Sequence, residues 1–494
     1  LEPARSLRGF LKGFQGTRPL AQGGGGAEPP RSYLLILEVF MENLQIAYIG
    51  GGSMNWAWQL MRDLALEPDL SGVVKLYDID NESAIMNATI GNSIPPEHPG
   101  KWQYEAKDNI KDALAGADFV VVSILPGTFD EMASDVHLPE EYGIYQAVGD
   151  TTGPGGIVRA MRTIPMFAVI GEAIKAYAPK AWVINYTNPM ANCTGALYGV
   201  FPEIKAFGCC HEVFHAQKLL AAMLEKEHGA DSVPHKDILL NVSGVNHFTW
   251  VDSASYKQTD LLPLFADFAR KHAETGFALE PSDTDENNSF RNMNRVCFDL
   301  FLRYGETAIP AAGDRHISEF MPPWYLKNPE TVKKWGFDLT TTAWRKQNQQ
   351  ERLAKRARIL AGEETFKIHP SGEEGTTQIK ALCGLTEMVT NVNLPNIGQA
   401  AGMPLGAIVE TNAVFSRDSV RPVFAGSLPP AVRGMQTRHA ENQLALVDAG
   451  LRKDLGLAFS VFLNDNLMTL GITQAEELFA KMIANTKAYL EGWK

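Results

Sequence analysis

The chain has 494 residues, 45% of them hydrophobic and 21% charged, an ordinary globular composition long enough for two packed domains. Its formal net charge of -12 argues against a nucleic-acid or anionic-membrane partner, and no run of about 18 apolar residues reads as a membrane span. Five cysteines (Cys193, Cys209, Cys210, Cys297 and Cys383) are too sparse for a secreted disulfide framework and fit a reducing, cytoplasmic compartment.

Residues 1–40 read as a tag-like or non-native extension. Leu1 is not a start residue, and Gly23 to Gly26 lead into Pro29 and Pro30 with no signal-cleavage pattern after them. Fold reasoning therefore starts at Met41. Leu44–Ile49 is a short apolar strand followed at once by Gly50-Gly51-Gly52-Ser53-Met54, and Asn55–Leu66 has helical period. Val73–Tyr77 is a second strand ending at Asp78. A helix from Glu82, a strand at Trp102–Ala106, a short helix at Ile110–Leu114 and the apolar run Phe119–Leu125 continue the alternation. A long helix over Ile157–Tyr177 and strands at Trp182–Tyr186 and Ala206–Cys209 extend the same parallel sheet. Leu239–Val245 is a further strand, ending at Asn246-His247. Beyond residue 255 the periodicity is mostly helical: Asp260–Thr275, Glu330–Ile359, Ala440–Leu451 and Gln474–Glu491.

These elements predict an α/β chain. A doubly wound, Rossmann-type parallel sheet spans 41–245, and a mainly helical α+β domain at 246–494 carries substrate, metal and oligomer contacts. Glycines between a first strand and a first helix let backbone amides approach a pyrophosphate, and Asp78 stands where a carboxylate bonds ribose hydroxyls and repels a 2′-phosphate. Gly50, Gly51, Gly52, Ser53, Met54 and Asp78 are thus the expected NAD site, although Asn55 replaces the usual third glycine.

Two strand ends carry unusual chemistry. Cys209-Cys210-His211-Glu212 ends one strand, and Gly244-Val245-Asn246-His247 ends the next, so Cys210 and His247 are expected to converge on the cofactor cleft and hold a divalent ion. For each residue alone, a buried thiol or a hydrogen-bonded imidazole is the plainer reading. Asn188-Pro189 follows another strand, Asp150 to Gly156 is a polar, flexible loop, and Asp314-Arg315-His316 gathers a carboxylate, a guanidinium and an imidazole.

Together these segments resemble glycoside hydrolase family 4, from Met41 almost to the C-terminus. The motifs that carry the resemblance are Ile49 to Ser53, Tyr142-Gly143, Asp150 to Gly156, Arg162 to Pro165, Asn188-Pro189, Cys210 to Val213, Gly244 to His247, Asn393 to Asn396 and Val409-Glu410. The family is an NAD-dependent exception among glycosidases. The Cys-His-Glu-Val form of Cys210 to Val213 looks like that of the α-galacturonidase branch. The resemblance implies release of terminal α-linked galacturonate by C3 oxidation with NAD, C2 deprotonation and elimination, with Mn²⁺ as the expected ion. It implies Asp314 as the base, with Tyr304 in reserve, and Asp150 as the group protonating the leaving oxygen. Asn188, His211 and Glu212 would contact substrate. Arg315 and His316 would meet the uronate carboxylate, with Arg159 and Arg162 as alternatives. A homodimer or homotetramer is the expected assembly. Rival readings are an α-galactosidase or α-glucosidase of the same family, a 2-hydroxy-acid dehydrogenase, and a non-catalytic NAD sensor.

Overall fold

The computed structural model describes residues 41–285 and 288–494; the expected N-terminal extension lies outside them. Thirteen strands occur among the described residues. The first six are β1 (Met41–Ile49), β2 (Leu70–Tyr77), β3 (Lys101–Ala106), β4 (Phe119–Val122), β5 (Trp182–Asn185) and β6 (Lys205–Gly208). They pair in parallel in the order β3-β2-β1-β4-β5-β6, the doubly wound arrangement that the alternation of strand and helix predicts. All four residues of β4, Phe-Val-Val-Val, are buried, as a strand covered by helices on both faces requires. The order reverses between β1 and β4, opening a crevice at the carboxyl ends of the strands.

The C-terminal half is the expected mainly helical α+β part, and three of its strands add to the main sheet. Strands β11 (Met388–Pro395), β12 (Ile408–Ser416) and β13 (Ser419–Pro422) run antiparallel and extend the same sheet beyond β6, giving nine strands. The sheet therefore does not stop at the boundary expected near residue 245. Conversely, β7 (Ile238–Val245) does not join it. It forms a hairpin with β8 (Phe248–Tyr256), and β8 also pairs with β9 (Thr259–Asp260) and β10 (Ile309–Pro310). Strand periodicity sets which residues face in, but not which sheet a strand enters.

The helix Gly153–Tyr177 occupies one face of the main sheet. Its first ten residues are all buried, so its amino-terminal half is enclosed all round rather than facing solvent on one side. The run Asp150 to Gly156 is not the flexible lead-in expected from its glycines: Thr151 through Gly156 are buried, and a Cβ on Gly156 would lie 2.5 Å from the Thr151 carbonyl carbon. Within this helix Arg162 is 1% exposed and grips Asp135 with both ends of its guanidinium, at 3.0 and 2.5 Å. Its remaining donors go to the Pro126 carbonyl and Thr486 Oγ1. No helix among the described residues is long and apolar enough to cross a membrane, and all five cysteines are free thiols.

Candidate active site

The glycine loop is built into the crevice. Gly50 and Gly51 both donate to the Tyr77 carbonyl at 2.9 Å, bending the chain back over the end of β2. Gly50 has φ of 95°, and a Cβ there would stand 1.9 Å from the Ser123 carbonyl oxygen, so only glycine fits. Ser53 Oγ accepts from the Asn55 and Trp56 amides and starts the helix Trp56–Leu66. Asp78 Oδ2 accepts from Gly52 N at 2.9 Å and Oδ1 from Asp80 N at 3.0 Å. Each oxygen keeps a lone pair for a further donor such as a ribose hydroxyl. The loop, the helix start and the carboxylate at the end of β2 together fit a dinucleotide.

The carboxyl ends of β5 and β6 point to the same crevice. After β5, Asn188 leaves its Oδ1 buried without a partner, while its Nδ2 faces Asp150 Oδ2 at 3.5 Å. Its carbonyl accepts from Arg159 Nε at 3.1 Å, so Arg159 holds this segment in place. A buried, orphaned amide oxygen is an acceptor waiting for a hydroxyl.

Asp150, His247 and His316 form the centre. Their ligating atoms lie within 4.8 Å of one another, the only such group of three His, Cys, Asp or Glu donors among the described residues. His247 sits at the turn of the β7–β8 hairpin with φ of 65°, and its ring stacks on His316 at 4.0 Å. Thr151 Oγ1 bridges the site, 2.9 Å from His247 Nδ1 and 2.7 Å from Asp150 Oδ1. Burial, followed by the neighbouring His316, lowers the His247 pKa to about 3, which leaves a lone pair free for an ion. Burial by itself would raise the Asp150 carboxyl, but His247, His316 and Arg159 hold it at about 2. A carboxylate so firmly ionised suits a ligand or a proton acceptor.

Cys210 is not one of the three. Its thiol is buried beside Asn246, and burial, then Glu410 and Glu212, push its pKa well up. A thiolate there needs a cation next to it. Asn246 Nδ2 donates to Glu410 Oε2 at 3.1 Å, leaving Asn246 Oδ1 unpartnered. Asn391 braces the same carboxylate at 2.6 Å and the Cys210 carbonyl at 3.1 Å.

The remaining expected contacts divide. Glu212 is engaged at both oxygens: Oε1 lies 3.1 Å from His316 Nδ1 and Oε2 accepts from Gly313 N at 3.2 Å. It orients His316 and anchors the 313–316 turn. His211 pairs with Glu373 at 2.8 Å, with its ring 6.3 Å from that of Trp56. Arg315 stays unpaired by any carboxylate among the described residues, whereas Arg162 is spent on Asp135.

Neither expected base is one of the three donors of this centre. Asp314 is fully buried with Oδ1 accepting from Cys297 N at 3.0 Å, at the start of the helix Arg295–Arg303. Burial lifts its pKa to about 7 against the pull of the Cys297, Val296 and Arg295 amides. Tyr304 ends the same helix, with its hydroxyl 3.3 Å from Met435 Sδ. The sequence places the two side by side in a loop; the helix between them holds them apart. A carboxyl whose pKa is raised on folding weakens the fold as pH climbs from about 4 to 7, because the unfolded chain releases that proton first. Asp314→Asn keeps an acceptor for the helix and removes that term. We expect a gain on the order of 2–4 kcal/mol at pH 8, little gain at pH 4, and turnover within threefold (~0.7 kcal/mol) of wild type. Collapse of turnover with NAD and Mn²⁺ binding intact would return Asp314 to the role of base.

Sequence reasoning missed Glu319, and it gave Asn246 no part beside Cys210. Glu319 accepts from Val148 N at 2.7 Å and Gly149 N at 2.9 Å, holding the chain that presents Asp150. Nothing local marks it, since the contact spans 170 positions or more.

Models of two parts of one family match the chain: family 4 glycosyl hydrolase over residues 45–226, and its C-terminal domain over residues 242–468. The chain belongs to glycosyl hydrolase family 4. As a member of that family it is a glycosidase. An alpha-galacturonidase of Thermoanaerobacterium saccharolyticum is 55% identical over 457 residues, covering 92% of this chain and 98% of the relative. The crystal structure of lplD from Bacillus subtilis is 51% identical and superposes with a TM-score of 0.86 over 90% of this chain and all of that one. A 6-phospho-alpha-glucosidase from gut microorganisms, solved with NAD and Mn²⁺, shares the fold at 20% identity, with a TM-score of 0.76 over 90% of this chain and 99% of that one.

Proposed function

We propose that this family 4 glycosidase releases terminal α-linked galacturonate, with NAD seated on Gly50 to Met54 and Asp78 and a divalent ion, Mn²⁺ by preference, at His247. The observation that carries the reading is the donor cluster of Asp150, His247 and His316, with Asp150 facing Asn188 beyond the carboxyl end of β5. The uronide follows from the alpha-galacturonidase more than half identical over nearly the whole chain, and from the buried Arg315 Nε that has no hydrogen-bond partner. Asp150 completes the ion site with His247, and Cys210 closes it once its thiol is ionised. NAD would supply the hydride acceptor for C3, and the ion would polarise the sugar oxygens so that the C2 proton becomes acidic.

The chain's own residues do the rest. Asn188 Oδ1 accepts a substrate hydroxyl and fixes the ring. His316, gripped by Glu212, is the group we assign to move a proton at the cluster, as a carboxylate-held imidazole does in general acid–base catalysis. The two family modules share one sheet, so we read the 41–245 and 246–494 parts as one catalytic body. Free thiols fit a cytoplasmic setting, and a homodimer or homotetramer remains the proposed assembly.

The test is a matched pair of chromogenic α-galacturonide and α-galactoside, with reduced protein, NAD and Mn²⁺, and omission of each. Cleavage of the galacturonide that needs both additions is the expected result. Preference for the galactoside would replace the sugar, and net NADH accumulation would favour a dehydrogenase.

A further inference from the structure

Arg345 lies in the first turn of the helix Thr342–Leu360, which Thr341 caps through the Trp344 amide at 3.2 Å. The surrounding run, Trp344 to Gln350, reads as a solvated polar face. Yet the Nε of Arg345 is buried and has no hydrogen-bond partner. The same is true of Arg315 Nε. The Arg315 guanidinium lies 4.7 Å over the Phe290 ring, and Trp344 packs edge-on against that ring at 4.9 Å, so one aromatic shelf links the two segments. Arg315 Nη2 also donates to Thr340 Oγ1, five residues before Arg345, and Thr340 N is fixed to the Ala147 carbonyl at 3.0 Å.

Neither guanidinium has a carboxylate within ion-pair distance among the described residues. Burial, then Arg345, lowers the Arg315 pKa to about 10. Burial likewise lowers that of Arg345, partly offset by Asp150 and Glu319. Glu212, Glu319 and Asp150 oppose the shift of Arg315 from beyond ion-pair distance, and two like charges brought together out of water with no anion in contact are costly unless a ligand supplies one. A planar carboxylate matches the guanidinium fork and would neutralise the excess.

We propose that Arg345 and Arg315 together seat the carboxylate of the uronic acid, making Arg345 a specificity residue that the sugar's charge, not its ring, requires. The proposal rests on the galacturonide reading. It adds a second, remote segment of the chain to the recognition of that group and gives the otherwise polar helix Thr342–Leu360 a part in the site.

The experiment compares wild type, Arg345→Met and Arg345→Lys on matched α-galacturonide and α-galactoside, in the presence of NAD and Mn²⁺. Arg345→Met is expected to lower kcat/KM for the galacturonide by about 10- to 100-fold, mostly through KM, the scale of one charged hydrogen-bonding contact. The galactoside value should change by less than about threefold, and Arg345→Lys should recover part of the loss by charge alone. An equal fall on both substrates, or no fall on either, overturns the proposal. Should Arg345→Met fail to fold, Arg345→Lys is read the same way: an unchanged galacturonide-to-galactoside ratio overturns it. Wild type that ignores galacturonides would instead defeat the parent reading, so the two failures are distinct.

Discussion

Replacing His247 with alanine is expected to cost at least 10²- to 10³-fold in kcat/KM, the scale of losing one preorganised electrostatic group (about 2.7–4 kcal/mol). The imidazole sits where three donors meet within 4.8 Å, stacked on His316 and hydrogen-bonded to Thr151. The side chain is presented from the positive-φ turn of the β7–β8 hairpin. Saturating Mn²⁺ should stabilise wild type by about 2–3 kcal/mol when it stands near 100 times its Kd, and should do nothing for the variant. His316→Gln provides the contrast: it should keep much of the Mn²⁺ stabilisation and lose turnover, as expected of a proton-moving group. Full Mn²⁺ stabilisation and turnover in His247→Ala would end the metal assignment.

Arg162→Ala is expected to lower unfolding free energy by about 3–5 kcal/mol, a large share of the margin that keeps most domains folded. The substitution leaves Asp135 buried at 1% exposure with no partner for two short hydrogen bonds, and also empties the contacts to Pro126 and Thr486. The pair ties the helix Gly153–Tyr177 to the helix Phe129–His137. Denaturant melts should show a lower midpoint with similar slope. Arg162→Met with Asp135→Leu should recover most of the loss, since removing both charges avoids the orphan. A stable Arg162→Ala protein that had lost only galacturonide turnover would instead assign this arginine to the substrate.

The legible parts of the sequence were those whose signal is local. The β1 glycine loop, Asp78 and the Phe-Val-Val-Val strand declare themselves within a few residues, and each is where periodicity and turn chemistry predict. The 314–316 triplet shows the limit of that reading. Three adjacent polar residues look like one site, yet on the short helix Asp314–Ile317 they fan apart: Asp314 goes to a helix start, Arg315 over Phe290, and His316 to the centre. Successive residues on a helix point about 100° apart, so neighbours in sequence rarely share a target. Strand β7 forms where it is expected, but its pattern fits equally a parallel strand and the hairpin that it makes with β8, so the sheet it enters was not legible.

By itself, then, the sequence determined the doubly wound α/β core, the dinucleotide loop and the family, because strand hydrophobicity, glycine geometry and ordered motifs are properties of short segments. Tertiary structure decided which of the singled-out groups meet. Asp150, His247 and His316 lie 69 or more positions apart and are joined only when a loop, a hairpin turn and a short helix come together. Burial then sets their charges, and burial is a property of the folded whole.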